Sequence, residues 1–158
     1  MDGLRLVFLT YFYIKHKIFS SFTGPDARTF FYPEGADTSD TVNAVSPWHD
    51  IPILSDLMGN FYYVNEIPKG TRAKMEAATK EEKNPLKQDE KDGKPRFFTF
   101  GNIPFNYGFI PQTYEDPHET HPVLKLRGDN DPIDVVEIST GPLPLGKIVS
   151  LKVRFLTP

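Results

Sequence analysis

The sequence contains no cysteine, which excludes disulfide bonds and thiolate metal sites. It also lacks a strong charge of either sign: the formal net charge is -3, and the lysines and arginines are interleaved with acids. Such a pattern offers no electrostatic footprint for nucleic acid. The four histidines have no metal-ligand spacing, so carboxylate oxygen is the remaining ligand type. These absences favour a hard cation such as magnesium and argue against a general nucleic-acid binder.

Long apolar runs are scarce as well. The one continuous run is LRLVFLTYFYI, residues 4–14, and a bilayer span needs about 20 apolar residues. No stable membrane span is therefore predicted. Residues 1–23 are predicted to be an N-terminal extension or a segment for organellar or secretory targeting, and an N-terminal strand or helix packed on the domain is the alternative. Without such targeting, we expect the protein in the cytoplasm.

The remaining composition indicates short strands separated by rigid turns. Fifteen prolines and eleven glycines accompany thirteen phenylalanines and seven tyrosines, and a length of 158 residues suits one domain, here residues 24–158. The fold class is predicted to be mainly β or α+β. The polar stretch 80–95 is predicted to be a solvated excursion and 101–117 an aromatic loop. Strands are predicted at 61–67, 96–100, 133–138 and 147–156.

Two acidic patterns carry chemistry. In TRAKMEA, residues 71–77, strand alternation puts Lys74 and Glu76 on one face and Met75 and Ala77 on the other. In GDNDPIDVVE, residues 128–137, three aspartates fall at 129, 131 and 134. Asp129 and Asp131 share a face, and Pro132 interrupts the alternation so that Asp134 can be brought to the same place.

Three carboxylates within about 5 Å repel one another by roughly 3 kcal/mol per pair at an effective dielectric of about 20. A divalent, oxygen-loving cation is the usual compensation. The spacing excludes an EF-hand, because Asp134 stands where the loop glycine belongs and Thr140 where the bidentate glutamate belongs. Taken alone, the acidic segment is also compatible with a solvated turn.

The segments VNEIPKGTRAKMEA, KPRF, NYGFIPQTYEDP and GDNDPIDVVE together resemble, in order and interval, the family I soluble inorganic pyrophosphatases. The resemblance runs from Trp48 to Val153. It implies a five-stranded closed barrel of OB type with flanking helices. It also implies hydrolysis of inorganic pyrophosphate to two phosphates with Mg²⁺, for which Mn²⁺ is a substitute.

The same resemblance implies a role for each matching residue. Asp131 would take a proton from the attacking water, and three residues would hold phosphate oxygens: Lys74, Arg96 and Tyr107. The metal ligands would be Asp129, Asp131 and Asp134, with Glu66 and Glu76 facing the metals directly or through water.

The sequence departs from the family in three respects, the first being a stretch between Arg96 and Tyr107 that is a few residues shorter. Family members continue past the last strand with two more aspartates and a lysine, so we expect the domain to be incomplete at its C-terminus. Tyr114 stands where a tryptophan is usual. One alternative is a catalytically dead domain that binds a full-length partner subunit or pyrophosphate. Another is an OB-type nucleic-acid module, which the acidic trio and the net charge disfavour. Self-association into a homo-oligomer stays open.

Overall fold

The computed structural model describes residues 14–19, 26–139 and 141–152. These residues form ten β-strands and no helix, which confirms the mainly β prediction and leaves the implied flanking helices without a counterpart in the described ranges. No membrane-spanning helix is found among them. The strands are β1 Ile14–Phe19, β2 Arg28–Pro33, β3 Phe61–Ile67, β4 Met75–Ala77, β5 Leu86–Gln88, β6 Glu90–Lys91, β7 Lys94–Pro95, β8 Asn106–Phe109, β9 Asp134–Glu137 and β10 Ile148–Leu151.

The strands pair into two four-stranded sheets and a small hairpin. One sheet has the order β1-β2-β5-β4, the other has the order β10-β3-β8-β9, and β6 pairs with β7. Every pairing is antiparallel. The described strands therefore do not close into the single five-stranded barrel that the resemblance implied. Glu66 of β3 links the two sheets, because its carboxylate accepts a hydrogen bond of 2.7 Å from the backbone N–H of Ala77 in β4.

The hydrophobic core lies between the two sheets. Phe31 and Leu86 come from the first sheet, Val64 and Phe109 from the second, and all four are fully buried. Trp48 and Ile51, from the segment before β3, close the same cluster. Burying a side chain of this size stabilises a fold by about 1.5–3 kcal/mol, so this cluster fixes the relative placement of β3, β5 and β8.

Three strand predictions agree with the structure. FYYVNEI forms β3 over its whole predicted length, β9 lies within 133–138, and β10 lies within 147–156. Residues 153–158, the end of the last predicted strand, lie outside the described residues. Of the predicted N-terminal extension, residues 14–19 form β1, which pairs with β2, and the rest of 1–23 lies outside the described residues.

Two predictions were wrong. RFFTF is not a strand: Phe97 makes one isolated bridge to Ala73, and the chain turns at residues 99–100. The stretch 80–95 is not a solvated excursion, because β5 runs through it as an inner strand with Leu86 fully buried. Its buried polar side chains are satisfied: Gln88 donates to the Arg96 carbonyl, and the Asn84 amide donates to three backbone carbonyls.

The segment 101–117 is also more regular than predicted. It contains β8, which pairs with β3 on one side and with β9 on the other. Gly108 permits the close approach to β3, since a Cβ at this position would lie 1.9 Å from the Val64 carbonyl oxygen. The sequence places a glycine where the two strands approach closely, and Tyr107 directly precedes it in β8.

Candidate active site

A cavity of about 260 Å³ opens beside β3, β4, β8 and the loop that precedes β9. It brings together seven of the eight site residues predicted from the sequence, and Arg96 is the one that does not line it. The polar part of its wall consists of Glu66, Lys74, Glu76, Tyr107, Asp129, Asp131 and Asp134. The remaining lining residues are Met75, Ala77, Phe109 and Pro132.

The acidic loop, residues 128–134, is held in place by backbone hydrogen bonds to residues 115 and 116. Asn130 donates its N–H to the Glu115 carbonyl at 3.0 Å, and the Glu115 N–H donates to the Asp131 carbonyl at 2.9 Å. Gly128 packs directly on this partner, where a Cβ would lie 2.3 Å from the Glu115 backbone. The Asp129 carboxylate accepts a hydrogen bond from the Asp131 N–H at 3.2 Å. The loop conformation is thus fixed by main-chain contacts and leaves the aspartate side chains facing the cavity.

Glu66 and Glu76 approach from the opposite wall. Burial raises the pKa of Glu66 well above its ordinary value, although the hydrogen bond from Ala77 opposes the rise. Burial also raises the pKa of Glu76, and the neighbouring Lys74 ammonium works against this increase. Both carboxyl groups are therefore poorly solvated in their charged form, and a nearby cation would stabilise that form.

Lys74 is the one cationic side chain that lines the cavity within the described part of the chain. Its ammonium group donates to Glu76 at 3.2 Å and to Asp89 at 2.7 Å. Burial lowers the pKa of Lys74, but these two acids more than offset that effect and raise it above its ordinary value. The predicted alternation of Lys74 and Glu76 on one face is confirmed by their contact.

Asp89 contacts the site through Lys74, and the sequence analysis assigned it no role. Its buried carboxylate pairs with both Lys74 and Arg96, and these two cations bring its pKa below the ordinary value despite burial. Arg96, whose side chain remains 46% exposed, is joined to the site through this pairing. No signal in the sequence distinguishes Asp89 from the four other acids of the polar stretch 80–95.

Tyr107 completes the polar wall from β8. Its hydroxyl lies near the Asp134 carboxylate, and burial together with this negative neighbour raises the pKa of the phenol. Asp134 itself has a raised pKa, mainly through burial and against the effect of the Tyr107 hydroxyl. The tyrosine is therefore protonated at neutral pH and presents a hydrogen-bond donor to the cavity.

Five carboxyl groups and one ammonium group line this cavity, which leaves it strongly negative. Burial raises the pKa of Asp131, and the charges of Asp129 and Asp134 raise it further. Within the described ranges, no three acids or histidines form a ready-made ligand set for a metal ion. Magnesium usually takes only one or two protein carboxylates and keeps several waters, so an oxygen-lined cavity of this kind fits Mg²⁺ or Mn²⁺.

Comparison with known proteins agrees with this chemistry. The sequence model of the family described as inorganic pyrophosphatase matches residues 63–155, which include every acid of the cavity. The chain belongs to the inorganic pyrophosphatase family. The family resemblance drawn from the sequence segments is therefore confirmed.

Among pyrophosphatases of known sequence, the chain is 47% identical over 122 residues to soluble inorganic pyrophosphatase 1, chloroplastic, of Chlamydomonas reinhardtii, covering 77% of this chain and 41% of that protein. It is 52% identical to soluble inorganic pyrophosphatase 6, chloroplastic, of Arabidopsis thaliana, covering 68% and 36%. The human inorganic pyrophosphatase is 47% identical, covering 69% and 39%. The chain thus spans about two fifths of the length of these pyrophosphatases.

Solved pyrophosphatase structures show the same fold. The N-terminally truncated vacuolar soluble pyrophosphatase of Trypanosoma cruzi, crystallised in complex with PPi, superposes with a TM-score of 0.81 at 34% identity. That match covers 96% of this chain and 61% of the crystallised one. The type I inorganic pyrophosphatase of Toxoplasma gondii gives a TM-score of 0.76 at 36% identity, covering 87% and 59%.

Proposed function

We propose that this chain binds Mg²⁺ and inorganic pyrophosphate in the acidic cavity and takes part in hydrolysis of pyrophosphate to two phosphates. The observation that carries the proposal is the meeting of five carboxyl groups with Lys74 and Tyr107 in one cavity. Pyrophosphate is compact and highly charged, so its binding needs both metal ions and protein cations. The carboxylate oxygens of this cavity can hold metal ions, and its ammonium group and phenol can each contact a phosphate oxygen.

The residues proposed to hold magnesium are Asp129, Asp131 and Asp134, with Glu66 and Glu76 contributing directly or through water. Bound magnesium supplies charge that neutralises phosphate oxygens and makes a coordinated water more acidic, and Mn²⁺ can replace it. Burial is the main cause of the raised pKa values of four of these acids, and a bound cation would stabilise their charged forms.

Phosphate oxygens are proposed to be held by Lys74, Arg96 and Tyr107. Asp89 fixes the two cations relative to each other, since its carboxylate pairs with both. The Arg96 guanidinium carries five donors in a planar fork that matches phosphate geometry. The Tyr107 hydroxyl lines the cavity and can donate to a phosphate oxygen.

Asp131 is proposed to act as the general base. It would accept a proton from the attacking water as the water oxygen bonds to one phosphorus and the bond to the bridging oxygen breaks. Burial and its acidic neighbours raise the pKa of Asp131, which makes its carboxylate a stronger base than an isolated aspartate. The bridging oxygen keeps the electron pair of the broken bond and leaves as an oxygen of the departing phosphate.

The test combines metal binding, substrate binding and turnover on the full chain. Calorimetric titration should show binding of Mg²⁺ and then of pyrophosphate, and Lys74→Met should weaken the binding of pyrophosphate. Phosphate release should depend on Mg²⁺. Asp131→Asn should lower that rate by about 100-fold while changing pyrophosphate affinity little. Asp92→Asn, in an exposed turn outside the cavity, is the matched control and should behave as the parent.

Two results would count against the proposal. Binding of pyrophosphate without phosphate release would restrict the function to binding, which is the second possibility drawn from the sequence. Mg²⁺-dependent phosphate release that survives Asp131→Asn unchanged would remove Asp131 from the role of base.

The compartment and the assembly state are further proposals. The cytoplasm is the compartment we propose, and a plastid is the alternative, since two of the relatives are named as chloroplastic. A fluorescent fusion of the full chain distinguishes the two. Size-exclusion chromatography with light scattering tests the proposed homo-oligomer.

A further inference from the structure

The acidic loop rests on a second segment, residues 112–116, that itself does not line the cavity. Besides the two hydrogen bonds at Glu115, the Gly128 N–H donates to the Asp116 carbonyl at 3.3 Å. The Ile133 N–H donates to the Thr113 hydroxyl at 2.9 Å. The supporting segment therefore follows the acidic loop along its length, and the loop's backbone conformation depends on where that segment lies.

Trp48 anchors the supporting segment to the core. Its indole N–H donates to the Thr113 carbonyl at 2.7 Å, and its own carbonyl accepts the Gln112 N–H at 2.7 Å. The indole is 9% exposed and belongs to the hydrophobic core cluster. The ring of Tyr114 lies next to it, with ring centroids 6.3 Å apart at an angle of 33°. The core thus positions residues 112–114 through two hydrogen bonds with Trp48, one from its indole and one to its carbonyl, and through an aromatic contact.

Tyr114 reaches from this anchor to the acidic loop. Its hydroxyl donates to the side-chain oxygen of Asn130 at 2.9 Å, and Asn130 lies between Asp129 and Asp131. Asn130 has a φ of 77°, in the left-handed region that costs most residues conformational energy. A side-chain bond at this residue stabilises the unusual backbone conformation that turns both aspartates toward the cavity.

We infer that Tyr114 is a positioning residue for the metal-binding loop, holding Asn130 in its left-handed conformation so that Asp129 and Asp131 are preorganised before metal binds. The inference rests on the metal site proposed above. Without the hydroxyl, the loop would have to adopt this conformation at the moment of binding, and the ordering cost would reduce the apparent metal affinity.

The first experiment needs no metal. Hydrogen exchange of the amides of residues 128–131 is compared between the parent chain and Tyr114→Phe, which removes the hydroxyl and keeps the ring. Faster exchange confined to this loop is expected. The matched control is Tyr32→Phe, which loses a hydroxyl bond of 2.8 Å to the Asp40 carbonyl, far along the chain from the acidic loop. Equal exchange of the loop in Tyr114→Phe and the parent would overturn the inference.

The second experiment measures Mg²⁺ affinity by calorimetry in the same three proteins. Tyr114→Phe should bind Mg²⁺ roughly twofold to tenfold more weakly, the equivalent of one partly exposed hydrogen bond, while Tyr32→Phe should bind as the parent does. In the Asn130→Gly background, where glycine adopts the left-handed conformation and the acceptor is gone, Tyr114→Phe should add no further loss.

Two calorimetric outcomes would overturn the inference. One is unchanged Mg²⁺ affinity in Tyr114→Phe, and another is an equal loss in Tyr32→Phe, which would make the effect one of general stability. Absence of Mg²⁺ binding by the parent chain would refute the proposed metal site and, with it, the part of the inference that concerns metal affinity. The metal-free exchange data would then still show whether Tyr114 orders the loop, so the two failures are distinguishable.

Discussion

Replacing Gly108 by alanine should separate β3 from β8 and open the wall of the cavity. Gly108 pairs with Asn65 across these strands, and its neighbours Tyr107 and Phe109 both line the cavity. An added Cβ would meet the Val64 carbonyl oxygen at 1.9 Å and the Glu66 amide nitrogen at 3.0 Å. Since both obstacles are backbone atoms, no side-chain rotation relieves the contact.

The magnitude follows from how far the strands must move. An ordinary contact between a Cβ and a carbonyl oxygen exceeds 3 Å, so β3 and β8 must part by more than an ångström at their closest point. Overpacking of a well-filled interior costs about 1–3 kcal/mol, and two backbone obstacles on β3, at Val64 and Glu66, put this case near 3 kcal/mol. For a chain of this length, that loss lowers the melting temperature by about 6–12 °C.

Differential scanning calorimetry of the metal-free chain measures the effect, and Gly141→Ala is the matched control. A Cβ at Gly141 meets nothing within 4 Å, so this change should leave stability unaltered or raise it by up to about 1 kcal/mol through the unfolded state. Equal melting temperatures for Gly108→Ala and the parent would refute the argument that the β3–β8 approach depends on glycine.

Three further predictions concern the acids and their partners. Asp129→Ala and Asp134→Ala should each abolish calorimetric Mg²⁺ binding, and retention of parental affinity in both would place the metal elsewhere. Because burial raises the pKa of Glu66, protons compete with metal, so Mg²⁺ affinity should increase as pH rises from about 5 to 8; a flat profile would contradict this. Asp89→Asn should weaken pyrophosphate binding by about tenfold, since Lys74 loses a charge-assisted bond, and Mg²⁺ affinity measured without pyrophosphate should change much less.

The fold was predictable where one strand's own sequence determines its environment. FYYVNEI combines aromatic and β-branched residues, and it forms β3 over the predicted range. β5 was not predictable in this way, because its neighbourhood is polar and its burial depends on distant partners. Gln88 can be buried because its side-chain amide donates a hydrogen bond to the Arg96 carbonyl, and no local sequence pattern predicts that contact.

The strand predicted at RFFTF was wrong although its local sequence favours a strand. Its composition favours a strand, and its backbone does bond to the 72–74 segment through the Arg96 carbonyl and the Phe98 N–H. The pairing yields only one isolated bridge before the chain turns toward Gly101. Strand propensity therefore indicated correctly that this backbone would pair, but the turn that follows prevents a continuous ladder of β-sheet hydrogen bonds.

The cavity was more predictable than the sheets around it, because its residues fall in short segments with a recognisable order. The spacing placed Lys74 beside Glu76, and the structure confirms their contact. Asp89 and Tyr114 were not assigned roles from the sequence. Each acts by holding another residue, Lys74 in one case and Asn130 in the other, and such a partner is known only when the fold brings the two together.

The charge of the cavity also implies an order of binding. Five carboxyl groups face Lys74, whose ammonium is already paired with Glu76 and Asp89. A pyrophosphate anion that entered this cavity alone would meet the repulsion of the acids and compete with two carboxylates for one cation. Two like charges about 5 Å apart repel by roughly 3 kcal/mol at an effective dielectric of about 20, so several such pairs outweigh a single favourable contact with Lys74. Cations bound first reverse the sign of the field at the acidic wall and leave Lys74 and Tyr107 available to the phosphate oxygens. If the proposed function holds, metal binding must therefore precede, or accompany, the binding of pyrophosphate.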